Sequence, residues 1–504
     1  MSASDLKYLL LFFLAIVAAI GLAEGARRFL HWSNEATRKF VHIAVGILVA
    51  STPFLLQSMW PMVILGTLFS VVNYVAVKRH LLTGMHGLER QTMGTVFYPM
   101  SFTILVLLLW QQNKMILFVA MMIMAVADAV AAIVGENVKH PIELDLGLEK
   151  KTVQGSLAML ATTFVIVSAS LLLFPHSLSA DVYRILWYSY VVAIIATGLE
   201  LVSVNGSDNL TVPLGSAFAL YYLLTASTYD AFYFTLGVAL AFLIAVFSYK
   251  LRLLTVSGMV GTFLLGVLVF GVGRWSFGVP ILVFFFLSSL LSRIGRVRKK
   301  KMETIFEKTG CRDLWQVYAN GGLPGILVLI WYFYPHSLVY LLFIAALAAV
   351  TADTWATELG ILSRKNPRSI LTFKEVPAGT SGGVTLLGFA GAMTGALILG
   401  ITGYAFSPHA VSGKFSGWSV LIVVVAGFFA SVADSILGMT VQAQYQCPVC
   451  SKTTERKIHC QTTRTQFIRG VRWINNDVVN FAAACSGALL AIFGWYIAYY
   501  ACNL

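Results

Sequence analysis

The run Leu338-Val339-Tyr340-Leu341-Leu342-Phe343-Ile344-Ala345-Ala346-Leu347-Ala348-Ala349-Val350-Thr351-Ala352 is apolar almost throughout and stops on an acid, Asp353. Stretches of this kind, roughly 17–22 residues long, recur along the whole chain, and that length spans a hydrocarbon core of about 30 Å as α-helix. Backbone groups in lipid must be paired internally, and long apolar runs without strict alternation favour helices over a barrel. The composition agrees. Of 504 residues, 58% are hydrophobic and 11% charged, with mean hydropathy +0.80; soluble domains carry about 25% charged residues.

Sixteen candidate spans centre near residues 15, 47, 68, 103, 125, 164, 192, 219, 240, 264, 284, 327, 349, 392, 428 and 490. Their connections alternate. Thirty of the 35 Lys and Arg residues fall in the long segments 24–40, 78–95, 135–153, 203–211, 249–255, 293–319, 361–380 and 441–476. The other five, Lys7, Lys114, Arg184, Arg274 and Lys414, fall on the opposite side. The positive-inside rule puts the long loops in the cytoplasm and both termini outside. The same rule accounts for the net charge of +13, so no nucleic-acid partner is expected. Residues 7–23 are read as a membrane helix rather than a cleaved signal, because cleavage would leave Arg27 and Arg28 outside. The expected fold is an all-α polytopic transmembrane helical protein of about sixteen spans.

An internal echo divides the chain. Ala127-Asp128-Ala-Val-Ala-Ala-Ile-Val-Gly135 is matched by Ala352-Asp353-Thr-Trp-Ala-Thr-Glu-Leu-Gly360. Downstream come Lys150-Lys151-Thr152-Val153-Gln154-Gly155-Ser156 in the first case and Lys374-Glu375-Val376-Pro377-Ala378-Gly379-Thr380-Ser381-Gly382-Gly383 in the second. Each half then carries another acid, Glu200 or Asp434, and an Asn/Asp loop before its last span, Asp208-Asn209 or Asn475-Asn476-Asp477. Four matches in order point to two related eight-span modules, 1–230 and 231–504. On this alignment Lys151 answers to Lys374 and Gly155 to Gly379.

An acid within a membrane span is expensive and usually marks a site. A following loop of Lys, Thr and Gly lets backbone N–H groups and a point charge approach phosphate, and a carboxylate can hold Mg²⁺. The combination reads as nucleotide–Mg²⁺ chemistry at one membrane face. There is no Walker-type or protein-kinase signature.

At these residues the chain resembles known families. Residues 1–230 are similar to the phytol kinase and dolichol kinase family of CTP-dependent membrane kinases. The likeness is carried by Arg38-Lys39-Phe-Val-His42, Glu89-Arg90 through Tyr98-Pro99, Asp128 to Gly135, Lys151-Thr152-Val-Gln-Gly155-Ser156, and Glu200 with Asp208-Asn209. Gln154 stands where that family usually has Glu. Residues 235–504 resemble the phytyl-phosphate kinase family, related to transmembrane protein 19 and long labelled an uncharacterised domain. Here the likeness rests on Gly310-Cys-Arg312-Asp313, Ala352-Asp353 to Gly360, Val376-Pro377-Ala-Gly379-Thr380-Ser-Gly382-Gly383, Asp434-Ser435 and Asn475-Asn476-Asp477.

The two resemblances together imply a two-step enzyme that converts an isoprenoid alcohol to its monophosphate and then its diphosphate, with CTP or another nucleoside triphosphate. In that scheme Asp128 holds Mg²⁺, Lys151 and the backbone near Gly155 bind the triphosphate, and Glu200 or Asp208 is the base. In the second module Asp353 and Asp434 hold Mg²⁺, and Arg312 and Lys374 hold the monophosphate. Gly135, Thr152, Gly360, Gly379, Thr380, Gly382 and Gly383 complete the expected nucleotide-binding loops. Two other readings stay open: a CTP-dependent cytidylyltransferase-like lipid enzyme, and a transporter built from two repeats.

One segment stands apart. Cys447-Pro-Val-Cys450 is followed by His459-Cys460 within a Cys-rich cytoplasmic insert at 441–470. These residues offer a structural zinc site, although adjacent His459 and Cys460 are awkward ligands for one ion. The plain alternative is a set of ordinary cytosolic thiols. The insert reads as an addition to the module with no part in catalysis.

Overall fold

The computed structural model describes residues 3–79, 92–174, 181–294, 311–411, 415–451, 453–460 and 463–502. Glu89 and Arg90 lie outside them. The protein is an all-α polytopic membrane protein. Its long helices among the described residues are Ala3–Phe29, Asn34–Leu55, Trp60–Lys78, Gly94–Leu109, Lys114–Asn137, Val153–Leu173, Val182–Leu201, Asp208–Thr225, Thr228–Lys250, Val256–Val272, Arg274–Arg293, Leu314–Phe333, Ser337–Gly360, Leu386–Ala405, Gly417–Thr440 and Asn476–Cys502. Polar residues stop the apolar runs and cap them. Ser33, Asn113, Thr152, Asp181, Thr255 and Thr385 each accept a backbone N–H of the first turn, and Asp313 with Gln316 forms a capping box.

Twelve of these helices are long and apolar enough to cross a bilayer, against the sixteen spans expected. The four that fall short have visible reasons. Gly94–Leu109 and Val256–Val272 are short apolar helices. Asp208–Thr225 opens on Asp208-Asn209, and Leu314–Phe333 carries Gln316, Asn320 and Pro324.

The chain forms two compact units, Met1–Phe232 and Tyr233–Leu504. In the first, the helix Lys114–Asn137 is central, with 61% of its most apolar 18-residue stretch buried, and packs against Asn34–Leu55, Gly94–Leu109, Val153–Leu173 and Asp208–Thr225. Its turn Ile123–Ala127 is a π-helical bulge directly before Asp128. Such bulges gather at functional sites because the wider turn re-aims the side chains that follow. His42 reaches this turn from the neighbouring helix, donating from Nε2 to the Met124 carbonyl at 3.3 Å.

In the second unit Ser337–Gly360 is central, with 72% of its most apolar 18-residue stretch buried, among Leu314–Phe333, Leu386–Ala405, Gly417–Thr440 and Asn476–Cys502. Its run Ala345, Ala346, Ala348, Ala349 and Ala352 is wholly buried. A Cβ on Gly487 would stand 2.7 Å from that of Ala349. Small residues let backbones approach closely where lipid provides no hydrophobic drive between helices. At one end of the unit Phe277, Tyr340 and Phe343 stack together, and the Tyr340 hydroxyl donates to the Gly403 carbonyl at 3.0 Å.

The two units share one local construction. In the first, Glu143–Leu144 pairs antiparallel with Lys151–Thr152, and the Thr152 hydroxyl then caps the next helix by accepting the Gly155 N–H at 3.1 Å. In the second, Arg368–Ser369 pairs with Gly383–Val384, and Thr385 caps by accepting the Gly388 N–H at 3.0 Å. A Cβ on Gly155 would meet the Ala131 carbonyl oxygen at 3.0 Å and Gly135 Cα at 3.4 Å; one on Gly388 would meet the Ala356 carbonyl oxygen at 2.9 Å and Gly360 Cα at 3.6 Å. The register read from the sequence is therefore corrected: Thr385 and Gly388 answer to Thr152 and Gly155. Gly379 to Gly383 belong to a connection that is longer in the second unit, with 35 residues from Asp353 to Gly388 against 27 from Asp128 to Gly155.

Leucine at Gly155 or Gly388 has to push these helix pairs apart, at a cost of about 1–3 kcal/mol. Gly155→Leu and Gly388→Leu should each lower the thermal unfolding temperature in detergent. Gly21→Leu, where nothing lies within 4 Å, should leave it unchanged. Equal melting of all three would refute the close crossing.

Candidate functional site

The first unit gathers charge at the end of its bundle where Thr152 caps. Asp128 comes from the central helix, Lys151 from the strand before Val153–Leu173, Glu200 from the last turn of Val182–Leu201, and Asp208 from the first turn of Asp208–Thr225. These four act on one another electrostatically, with Arg38 joining from the start of Asn34–Leu55. Lys151 Nζ donates to Glu200 Oε1 in a nearly buried ion pair. Burial works against the Lys151 charge, yet Glu200, Asp208 and Asp128 outweigh it and raise the ammonium above its ordinary value. The lysine is thus charged at neutral pH, and its stabilising pairing is lost only as pH rises past that raised value.

The surrounding loops hold the set in place. The Asn205 N–H donates to Glu149 at 2.7 Å, and Met93 N–H donates to the Asn205 carbonyl at 3.0 Å. Gln154 donates to the His140 carbonyl at 3.0 Å and accepts from Ile142 N–H at 3.1 Å. Its side chain therefore laces the loop to the helix. The donated bond needs an amide, which a carboxylate at this position could not supply.

In the second unit Asp353 and Asp434 stand on packed helices and act on one another electrostatically. Asp434 Oδ2 is buried with no hydrogen-bond partner. Two carboxyl groups so close, one with an orphaned oxygen, fit a divalent cation. The Gly-rich loop packs on the helix that carries Asp434: a Cβ on Gly382, at φ +77°, would meet the Ser435 carbonyl oxygen at 2.8 Å. Thr380 spends its hydroxyl on the Pro377 carbonyl at 2.7 Å.

Lys374 and Arg312, the cations expected in this unit, have different surroundings, and the nearby acid Glu358 has its own. Lys374 is exposed, and its carbonyl accepts the Ser369 N–H at 2.9 Å. Glu358 is turned toward the helix Arg274–Arg293, where Ser292 donates to it at 2.6 Å, and it faces Arg312. Arg312 is anchored by backbone bonds to Leu253 and Thr255, and its guanidinium lies 5.5 Å from the Phe285 ring. It borders an almost wholly apolar pocket lined by Leu265, Val269, Phe270 and Phe284.

The Cys-rich insert is folded. Strand Gln444–Gln446 leads into Cys447-Pro-Val-Cys450 and pairs with Thr453–Thr454 and Gln466–Arg469. The donor atoms of Cys447, Cys450, His459 and Cys460 lie within 4.8 Å of one another. The backbone solves the adjacency problem: Cys460 adopts φ +45°, which turns its thiol back beside His459 Nδ1 at 3.2 Å. Glu455, between the two ligand pairs, accepts a hydrogen bond from the Ser381 hydroxyl at 3.3 Å and acts on Asp434. Nothing in the sequence singled out Glu455. Thr385 and Gly388 did leave a signal, since Thr385-Leu-Leu-Gly388 repeats the spacing of Thr152-Val-Gln-Gly155.

The fold defines a multi-pass helical membrane protein with a cluster of half-buried acids in each of two units. The family model described as Integral membrane protein DUF92 matches residues 239–488. Protein PGR of Arabidopsis thaliana is 33% identical over 266 residues, covering 49% of this chain and 91% of that protein. An uncharacterized membrane protein of Methanocaldococcus jannaschii is 34% identical over 190 residues, 38% of this chain and 75% of that protein. A protein named Phytol kinase, from Synechocystis, is 31% identical over 185 residues, 36% of this chain and 77% of that protein. No solved structure matches. The chain belongs to the DUF92 family of integral membrane proteins.

The Lys151–Glu200 pair makes a measurable claim. Removing one partner of a buried pair strands the other charge, at about 3–5 kcal/mol. Lys151→Met should destabilise the chain clearly more than Lys151→Met combined with Glu200→Gln, as read by thermal unfolding. Additive losses in that cycle would mean the two groups are not paired.

Proposed function

We propose that this chain is a two-site membrane lipid kinase. Residues 1–230 phosphorylate an isoprenoid alcohol, and residues 231–504 phosphorylate the resulting monophosphate to the diphosphate. Each step uses a nucleoside triphosphate, CTP by family resemblance, at the cytoplasmic face. The observation that carries this reading is the repeated construction: the most buried helix of each unit presents an aspartate beside a Thr-capped helix start and a second acid. The likeness to a protein named Phytol kinase supports it, as does the placement of thirty of 35 Lys and Arg residues in the long loops.

Mg²⁺ fits the carboxylates present: Asp128 in the first unit, and Asp353 with Asp434 in the second. Held there, it would offset the negative charge of the triphosphate. In the first unit Lys151 supplies positive charge for the triphosphate. The prenol hydroxyl oxygen attacks the γ-phosphorus, its proton passes to Glu200 or Asp208, and the bond to the bridging oxygen breaks as the nucleoside diphosphate leaves. In the second unit the nucleophile is a phosphate monoester, largely deprotonated near neutral pH with a second pKa of about 6. It needs a cation more than a base. Arg312 stands at the apolar pocket, so the pocket takes the prenyl chain and the guanidinium takes the phosphate.

Purified protein given a prenol and CTP should release CDP; release of pyrophosphate would instead mark a cytidylyltransferase. Asp128→Asn should abolish alcohol phosphorylation and spare phosphorylation of added monophosphate, whereas Asp353→Asn should let monophosphate accumulate. Loss of both steps from either change, in protein that still folds, would rule out two separate sites. Arg312→Ala should raise the KM for the monophosphate about tenfold or more with little change in kcat; an unchanged KM would remove Arg312 from the site.

A further inference from the structure

We propose that the Cys-rich insert is a zinc-organised strap that delivers Glu455 to the second unit's cation site as its third carboxylate. The metal part rests on donor geometry. Cys447, Cys450 and Cys460 offer three soft sulfurs and His459 an imidazole Nδ1, all within 4.8 Å of one another. A tetrahedral zinc ion, with Zn–S of about 2.3 Å and Zn–N of about 2.0–2.1 Å, needs ligand separations only slightly different from these. The Cys450 and Cys460 sulfurs already stand 3.5 and 3.2 Å from Nδ1. Three Cys and one His close the coordination shell, which marks a structural site rather than a catalytic one.

The strap part rests on where the chain goes between its ligands. Cys450 and His459 bracket a segment fastened at both ends, and Glu455 sits inside it, just past the strand Thr453–Thr454. The root of the insert is fastened separately: Ala443 N–H donates to Ile474 at 2.8 Å, Val471 N–H to Val441 at 2.9 Å, and Arg469 Nε to Gln444 at 2.8 Å. The strands hold the base, while the Cys/His cluster decides where the tip lies. From that tip Glu455 takes the Ser381 hydroxyl of the Gly-rich loop at 3.3 Å. Its charge acts on Asp434, whose Oδ2 is buried and unpartnered, and Ser381 adjoins Gly382, where a Cβ would meet the Ser435 carbonyl oxygen at 2.8 Å. Three acids with an orphaned oxygen among them repel one another unless a divalent cation occupies their centre. The inference rests on reading Asp353 and Asp434 as a cation site of the proposed second kinase step.

The test uses the full chain carrying Asp128→Asn, so that cation binding reports the second site. Zinc content is measured by mass spectrometry of the purified protein, and Mn²⁺ affinity by the loss of the free-ion electron paramagnetic resonance signal. The expected result is about one zinc per chain, retained in Glu455→Gln, with Mn²⁺ affinity in that variant reduced about 10-fold or more. Extracting the zinc with a mercurial reagent should lower Mn²⁺ affinity equally while helical circular dichroism persists. This arm serves where Cys450→Ser fails to fold. Zinc absent even after growth in supplemented medium would overturn the metal assignment, and full Mn²⁺ affinity after extraction would overturn the strap. If Glu455→Gln binds Mn²⁺ normally while Asp353→Asn does not, Glu455 is no ligand and the second-site reading stands. Undiminished binding in Asp353→Asn would defeat that reading itself.

Discussion

A carboxylate carried on the most buried helix of a membrane bundle has to be given partners, and both units are arranged around meeting that demand. Asp128 and Asp353 lie half-buried on the central helices of their units, where a charge is costly without a partner. The first unit answers with a lysine, backed by Arg38, among three acids. The second answers by setting Asp353 against Asp434 and leaving one oxygen unpaired.

The helix pair beside each acid turns this demand into a shaped site. Gly135 against Gly155, and Gly360 against Gly388, bring two backbones close enough for a threonine hydroxyl to sit in the crossing. That threonine ends a short strand and caps the second helix, so the preceding loop is delivered to the helix start beside the acid. A helix start favours anions. Acid, cap and close crossing form one device, and side chains elsewhere in each unit are free to differ. Lys151 has no counterpart near Asp353 by position in the chain, and the second unit instead presents Arg312, from another helix start, at an apolar pocket.

The insert departs from this symmetry. It is a small β structure on the root of Gly417–Thr440, and its Cys/His cluster and Glu455 both belong to the same short excursion of the chain.

The sequence by itself determined the membrane class, the order of helices and the two acids. Each of these depends on local composition: an apolar run long enough for the bilayer, a capping Ser, Thr, Asn or Asp at its start, an acid where none is cheap. Even the Thr-x-x-Gly repeat was legible, although the richer Gly379-Thr380-Ser381-Gly382-Gly383 drew the alignment away from it. Tertiary structure alone decided which polar groups meet. The Lys151–Glu200 pair joins residues 49 apart in the chain, and Ser381 meets Glu455 across 74. Lys374, equal to Lys151 on paper, faces solvent. Glu358 turns to Ser292 instead of to its neighbour Asp353, and Cys460 reaches the His459 nitrogen only through a left-handed backbone. Local propensity sets where a helix begins and ends, but the direction a side chain takes depends on the helix packed against it, and no spacing along the chain encodes that contact.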